Sequence, residues 1–247
     1  VDAIGLEEMA VYSLGFRIAM IMALFTRAMQ TAWPPSAFQL ANEPGGKQTL
    51  AQMLRIVLLG LAVLALGLTV YAPELVRVFA PEDIYAGAYR FIPWVAFSYA
   101  LQMGVFYLLT NLLIVHKTIW QPVVMCIGAG CKLALNAVLI GRYGILGAAA
   151  GTLISFALMF ALSYAVAQRH YPVPYDLRRI SGLLIITACI AAAATWAGSM
   201  QNLGGFAFRT FLLLLFPVVV FTTQTVTTKE RLQLWDAVRA RLGRLRP

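Results

Sequence analysis

The chain has little charge, and very little of it is negative. Of its 247 residues only 12% are charged, ten are Asp or Glu against nineteen Lys or Arg, and 61% are hydrophobic. Soluble domains have about a quarter charged and roughly half apolar residues. With a mean hydropathy of +0.78, this composition excludes an ordinary soluble protein and predicts an all-α integral membrane protein.

Residues that carry catalysis or bind metals are also scarce. The three cysteines, Cys126, Cys131 and Cys189, all fall in apolar segments, where we expect small buried side chains rather than disulfides or metal ligands. His116 and His170 lie in predicted loops, and no Ser-His-Asp, Cys-His, paired-carboxylate or HExxH pattern occurs. The sequence therefore predicts no enzyme activity, no cofactor and no metal site.

Seven apolar segments are long enough to cross a bilayer, which takes ~20 helical residues. They cover roughly residues 9–33, 52–72, 91–115, 119–140, 145–167, 180–198 and 206–227. Five of them make up residues 1–180, and two further ones make up residues 180–228. Residues 229–247 form a basic amphipathic tail that is predicted to lie on the cytoplasmic membrane surface. Because the first residue is Val1, the chain is expected to be a piece of a longer polypeptide.

The basic residues predict the orientation of these spans. A cytoplasmic C-terminus puts twelve of the nineteen, Arg55 among them, on the inner side and four on the outer side. By the positive-inside rule the N-terminus of the fragment lies outside. The net charge of +9 is then explained by the membrane surface, with no nucleic acid as a partner. Pro34 and Pro35 predict a kink in the first span.

Three cations, Arg17, Arg27 and Lys132, fall inside predicted spans, whereas every carboxylate falls outside them. A cation at mid-bilayer costs ~2.5–3.5 kcal/mol on insertion scales, so something must compensate it. Arg17 is expected a third to half of the way through its span. For Arg17 and Lys132 we favour a cationic cavity that receives an anionic substrate. For Arg27, nearer the cytoplasmic end, snorkelling is the preferred interpretation. Pairing with carboxylates elsewhere in a longer protein is a further alternative.

Two helix faces stand out in the fourth and fifth spans. Gly128, Lys132 and Asn136 recur every four residues and so share one face, and Gly147, Gly151 and Ser155 form a small-residue stripe that allows close helix contact. Five residues have polar groups suited to sugar contacts, although for each of them an interhelical hydrogen bond or an anchor at the membrane interface is the preferred interpretation. They are Gln30, Trp33, Gln102, Asn111 and Asn136.

Several segments resemble one transporter family. Residues 11–17 (VYSLGFR) with 32–35 (AWPP) resemble the eighth helix of bacterial polysaccharide and O-antigen flippases. Residues 136–149 (NAVLIGRYGILGAA) are similar to the turn between the family's eleventh and twelfth helices, and 171–175 (YPVPY) to the next cytoplasmic loop. These flippases belong to the multidrug/oligosaccharidyl-lipid/polysaccharide (MATE-like) superfamily.

The resemblance implies a fold and a function. Members have about fourteen helices in two pseudo-symmetric lobes around a cavity, so this chain would be the C-terminal lobe plus two extra helices, with an N-terminal half as its partner. It would move a lipid-linked oligosaccharide, an undecaprenyl-pyrophosphate glycan, across the bacterial inner membrane by alternating access. The expected substrate-binding residues are then Arg17, Arg27, Lys132, Asn111 and Asn136.

Two alternatives stay open. A drug/cation antiporter of the same superfamily would use acidic residues within the membrane, and the predicted spans contain none. A seven-helix receptor or retinal protein would match the predicted topology. A retinal protein needs a lysine in its last helix, and residues 206–227 have none.

Overall fold

The computed structural model describes residues 5–198 and 203–222, and in this part of the chain every regular element is helical. The helices are α1 (Leu6–Ala19), α2 (Ile21–Ala41), α3 (Gly46–Val70), α4 (Ala72–Phe79), α5 (Ile92–Ile114), α6 (Trp120–His170), α7 (Leu177–Gly198) and α8 (Leu203–Thr222). A 3₁₀ helix (Asp83–Arg90) leads into α5. The prediction of an all-α protein is confirmed for the described residues.

Helix α5 forms the centre of the bundle. It packs against α1, α2, α3 and α6, while α3 in turn contacts α7 and α8. In the most apolar stretch of the span Ile84–Ile114, which includes α5, 67% of the residues are buried. The corresponding share in α6 is 33%. Met103, Tyr107 and Leu108 on α5 have no exposed surface. A helix that is apolar all round and enclosed by its neighbours is what an interior position requires.

The first predicted span is broken, but not at its proline pair. Helix α2 continues through Pro34 and Pro35, and the chain instead bends by 41° between α1 and α2. At this point the amide of Ala23 donates to the carbonyl of Met20, a contact three residues apart that tightens the turn. The predicted kink at Pro34–Pro35 is therefore wrong, and the bend lies at Met20.

Helix α6 is a hairpin of two antiparallel arms, residues 120–143 and 145–170. The reversal occurs at Gly144, whose φ of 59° and ψ of −142° are non-helical and are readily adopted only by glycine. Gly147 lies directly against the backbone of Leu139, and further along the arms Gly128 lies against Met159. The predicted close contact of the small-residue stripe is therefore present, and its partner is the preceding arm.

Three loops meet at one end of the bundle. The Lys47 ammonium lies 4.7 Å from the centre of the Tyr171 ring, which joins the α2–α3 turn to the α6–α7 loop. The ring of Trp120, which follows the α5–α6 loop, lies 5.5 Å from that of His170. The α6–α7 loop is itself held by Gln168, whose amide donates to the Val173 carbonyl at 2.7 Å and accepts from the Val173 amide.

The apolar helices agree with a membrane protein. Among the described residues four helices are long and apolar enough to cross a bilayer, or five if bent α1 and α2 form one span, and Gly204–Val220 is a shorter apolar helix. The predicted count of seven spans is therefore not confirmed by the described residues. The amphipathic tail predicted at 229–247 lies outside the described residues.

Two sequence-based placements need correction. Cys126 and Cys189 are exposed on outward helix surfaces and Cys131 is half-buried, so the cysteines are free but not enclosed in a core. An outward face can stay apolar because lipid, not water, surrounds a spanning helix. Arg55, counted with the cytoplasmic residues, lies within α3 and is only 8% exposed.

Candidate functional site

Arg17 lies on the outward side of α1. Two residues earlier, Gly15 faces the 3₁₀ helix so closely that a Cβ there would lie 2.7 Å from the Ala88 carbonyl oxygen. Two residues turn a helix by about 200°, so Arg17 points away from this contact, and it is exposed. The chain therefore leaves its guanidinium free to meet a ligand, lipid or another protein segment.

The segment of α1 that carries Arg17 packs against the first turns of α5. Ile18, its neighbour, packs in one cluster with Ile92 and Val95 in the first turns of α5. The ring of Tyr12 meets that of Phe91 edge-on at 5.4 Å. Arg17 thus lies beside the first turns of α5, and its depth of a third to half of the way across the bilayer stays a prediction.

Arg27 belongs to a polar group that the sequence did not reveal. It is exposed on α2, and Tyr99 of α5 lies within electrostatic range of both the Arg27 guanidinium and the Tyr12 hydroxyl. Three separate helices therefore bring two phenols and a cation to one neighbourhood. The signal was present, since Tyr12 and Tyr99 are polar-tipped residues in apolar segments, but only the fold pairs them.

Lys132 and Asn136 lie on the first arm of α6 and differ in their exposure. Lys132 is exposed. The Asn136 amide oxygen is buried without a hydrogen-bond partner, and it lies where a Cβ at Gly151 would approach it to 2.6 Å. Of the three residues predicted to share a face, Gly128 and Asn136 both contact the second arm. In the sequence, Lys132 lies midway between these two contact residues.

Asn111 is separated from these cations. It has no exposed surface, and its amide nitrogen donates to the hydroxyl of Tyr175 in the α6–α7 loop. Burial raises the pKa of the Tyr175 phenol, so this hydroxyl holds its proton more strongly than an exposed tyrosine. Nearby, the Tyr107 hydroxyl donates to the Leu50 carbonyl at 2.7 Å, and the Tyr107 ring stacks on Trp33 at 4.2 Å. Asn111 therefore sits in a closed polar interior at the end where the three loops meet.

The three cations in the predicted spans have no acidic partner in the described part of the chain. No hydrogen bond or ion pair joins Arg17, Arg27 or Lys132 to a residue there. The structure does not bring Arg17 and Lys132 into contact with each other. Each is an exposed positive charge on an apolar helix, which is suited to bind an anionic group.

A fourth cation, whose partners the sequence reasoning missed, is bound on all sides by acceptors. Arg209 of α8 is 3% exposed, and its guanidinium donates to the two Glu74 carboxylate oxygens at 2.7 and 3.3 Å. It also donates to the Val70 and Gly205 carbonyls at 2.9 and 3.2 Å. A buried cation with this set of acceptors is structural, so the contrast with Arg17, Arg27 and Lys132 is one of environment rather than residue type.

Within residues 5–198 and 203–222 no cluster of three or more His, Cys, Asp or Glu side chains could hold a metal ion. What the arrangement offers chemically is positive charge, phenol hydroxyls and apolar surface. No protein-family model, no curated protein and no solved structure matches the chain.

Proposed function

We propose that the chain is the C-terminal lobe of a membrane flippase that moves a lipid-linked oligosaccharide across the bacterial inner membrane. The observation that carries the proposal is the set of exposed cations Arg17, Arg27 and Lys132, placed on apolar helices with no carboxylate partner in the described residues. A charge of this kind is costly in lipid and is retained where it serves a substrate pathway.

An anion that travels through the membrane would compensate these cations. A pyrophosphate carries several charges and many acceptor oxygens, and arginine binds such groups through two parallel hydrogen bonds. The phenols of Tyr12 and Tyr99 beside Arg27 add the polar-tipped aromatic surface that sugars contact. Asn136 and Asn111 remain predicted glycan contacts. Asn111 and the amide oxygen of Asn136 are buried, so the substrate would reach them only after the helices around them move.

The spans of the proposed lobe follow the seven apolar segments. The bent pair α1–α2 forms one span, α3 and α5 one each, the two arms of α6 two more, and α7 and α8 the last two. The N-terminal half of the transporter would supply the opposite wall of the cavity, against which Arg17 and Lys132 would face. Alternating access would then be a rocking of the two lobes about the substrate.

The rival antiporter function has less support. It requires an acid that titrates or binds a cation within the membrane. The helices Gly46–Val70, Ile84–Ile114, Trp120–His170 and Leu177–Ala197 contain no Asp or Glu. In the bent pair α1–α2 the acidic residues are Glu7 and Glu8, which are exposed in the first turn of α1. Glu74, just beyond α3, is already bound to Arg209.

The test is glycan export by the full-length protein after neutral, shape-preserving changes. Arg17→Gln and Lys132→Met should abolish export while leaving membrane levels unchanged, because both side chains are exposed and support no packing. Arg17→Lys should retain part of the activity, since it keeps the charge but loses the bidentate geometry.

Lys117→Gln provides the matched control, because Lys117 is an equally exposed cation in the α5–α6 loop. It should export normally. If Arg17→Gln and Lys132→Met also export normally, the cations have no part in substrate binding and the proposal fails.

A further inference from the structure

A deep apolar groove lies between α5, the second arm of α6, and α7. Its volume is about 710 Å³, and its wall is formed chiefly by aliphatic and aromatic side chains, among them Phe97, Leu101, Leu153 and Leu184. This size is within the range of pockets that hold small ligands, ~300–1,000 Å³. The groove is on the outside of the bundle's central helix, where lipid surrounds a membrane protein.

The groove is as long as one leaflet of a bilayer. Its wall extends from Arg90 to Leu101 along α5 and from Leu184 to Trp196 along α7. At a rise of ~1.5 Å per residue these stretches are about 17 Å long. Half of a ~30 Å hydrocarbon core is about 15 Å. A single extended lipid chain from one leaflet therefore fits along the groove.

Polar chemistry is confined to one end. Inside the groove the hydroxyls of Thr187 and Thr195 donate to carbonyls of their own helix, at 2.6 and 2.9 Å, and so have no donor to offer a ligand. At the mouth, Arg90 is exposed and its guanidinium lies 5.9 Å from the Tyr89 ring centre. No carboxylate in the described residues pairs with it.

Aromatic residues surround this cation. Trp94 and Trp196 line the same end of the groove as Arg90, as expected of side chains at the level of lipid headgroups. A second cleft, about 610 Å³ between α2, α3 and α8, has no charged residue in its lining. The groove between α5, α6 and α7 thus combines an apolar wall with a cation at its mouth, which the α2–α3–α8 cleft does not.

We propose that this groove binds one anionic glycerophospholipid, with an acyl chain between α5 and α7 and the phosphate at Arg90. The groove's length favours an acyl chain of one leaflet over a long polyisoprenoid, most of which would have to lie outside it. Under the predicted topology this lipid belongs to the outer leaflet. The site is separate from the proposed glycan pathway and does not depend on it.

Native mass spectrometry of the full chain in a non-ionic detergent tests the proposal. Phosphatidylglycerol and phosphatidylcholine with identical acyl chains are added in equal amounts, and the retained lipid is counted. We expect one retained phosphatidylglycerol, favoured about fivefold over phosphatidylcholine, because one cation near the headgroup contributes that much.

Two variants separate the groove from its charge. Arg90→Gln should remove the fivefold preference, and Ala188→Phe, which places a ring into the open groove from an exposed position, should reduce the retention of both lipids. Arg142→Gln is the matched control: Arg142 is an exposed cation predicted on the same side that does not line the groove, and it should behave as the parent.

Several outcomes would overturn the proposal. Equal retention of the two lipids by the parent would show that no charged site exists, and unchanged retention by Arg90→Gln would place the anion elsewhere. Displacement of the bound lipid by inorganic phosphate would reveal a site for a free anion. Displacement by undecaprenyl phosphate, lost in Arg90→Gln, would assign the groove to the polyisoprenoid carrier.

Discussion

At the scale of single residues, the arginines differ in their exposure and in the acceptors that surround them. Arg209 is enclosed and donates to Glu74 and two backbone carbonyls, whereas Arg17 and Arg27 are exposed on apolar helices. Glu74 and Arg209 are 135 residues apart in sequence, so no local pattern could pair them. This contact fastens α8 to the end of α3 and the start of α4.

The two halves of this ion pair should not contribute equally to stability. The Arg209 side chain is 3% exposed and that of Glu74 33%. Glu74→Ala leaves a buried guanidinium without its anion, which should lower the free energy of unfolding by about 3 kcal/mol. Arg209→Met keeps the volume and leaves a carboxylate that water can reach, so its effect should be smaller. Thermal unfolding in detergent measures both.

Glu82→Ala is the control for this comparison, since Glu82 is an exposed carboxylate in the segment after α4. Its unfolding midpoint should equal that of the parent. A larger loss for Arg209→Met than for Glu74→Ala would contradict the reading of Arg209 as the buried member whose charge must be compensated.

The exposed cations were the part of the candidate site that sequence reasoning could reach. A positive charge in an apolar segment is visible without a structure, and Arg17, Arg27 and Lys132 were found that way. The group of Tyr12, Tyr99 and Arg27 could not be found, because it depends on how α1, α2 and α5 pack. Asn111 stands out in the sequence as a polar residue in an apolar segment, but the sequence does not show that its amide donates to Tyr175.

At the scale of elements, glycine positions were better guides than prolines. Gly144 marks the reversal of α6 through its non-helical backbone, and the small-residue stripe after it gives the face of closest contact. Pro34 and Pro35 stay inside α2, although each removes a helical donor. Packing stabilises the helix at this point, because Trp33 and Ala37, on either side of the proline pair, both belong to the main buried cluster.

The hairpin supplies the element-scale prediction. Gly151→Leu should lower the yield of folded protein without affecting membrane insertion, because the new side chain would collide with Asn136 and Leu139 of the first arm. Overpacking of this kind costs ~1–3 kcal/mol. Size-exclusion chromatography of the detergent-extracted protein measures the folded fraction.

Gly130→Leu is the matched control, since nothing lies within 4 Å of a Cβ at this helical position. It should give parental yield. Should Gly151→Leu also give parental yield, the two arms would not approach each other closely in the membrane.

At the scale of the whole molecule, the structure shows which of the basic loops lie together. The α2–α3 turn, the α5–α6 loop and the α6–α7 loop lie together at one end, through the contacts of Lys47 with Tyr171 and of Trp120 with His170. At the other end, one of the four basic residues is neutralised, because Arg209 is paired with Glu74. At the end where the three loops meet, Arg179 is likewise paired with Asp176, so ion pairing neutralises one basic residue at each end.

This arrangement of the loops leads to a prediction that tests which loops share a side of the membrane separately from which side is cytoplasmic. Reporter fusions at Glu43, Lys117 and Asp176 should all give the same signal, because these residues belong to loops at one end of one bundle. Fusions at Pro81 and Arg142 should give the opposite signal. The positive-inside rule assigns the first three to the cytoplasm. A uniform exchange of the two signals would reverse the orientation and keep the fold, whereas disagreement among the first three would contradict the bundle itself.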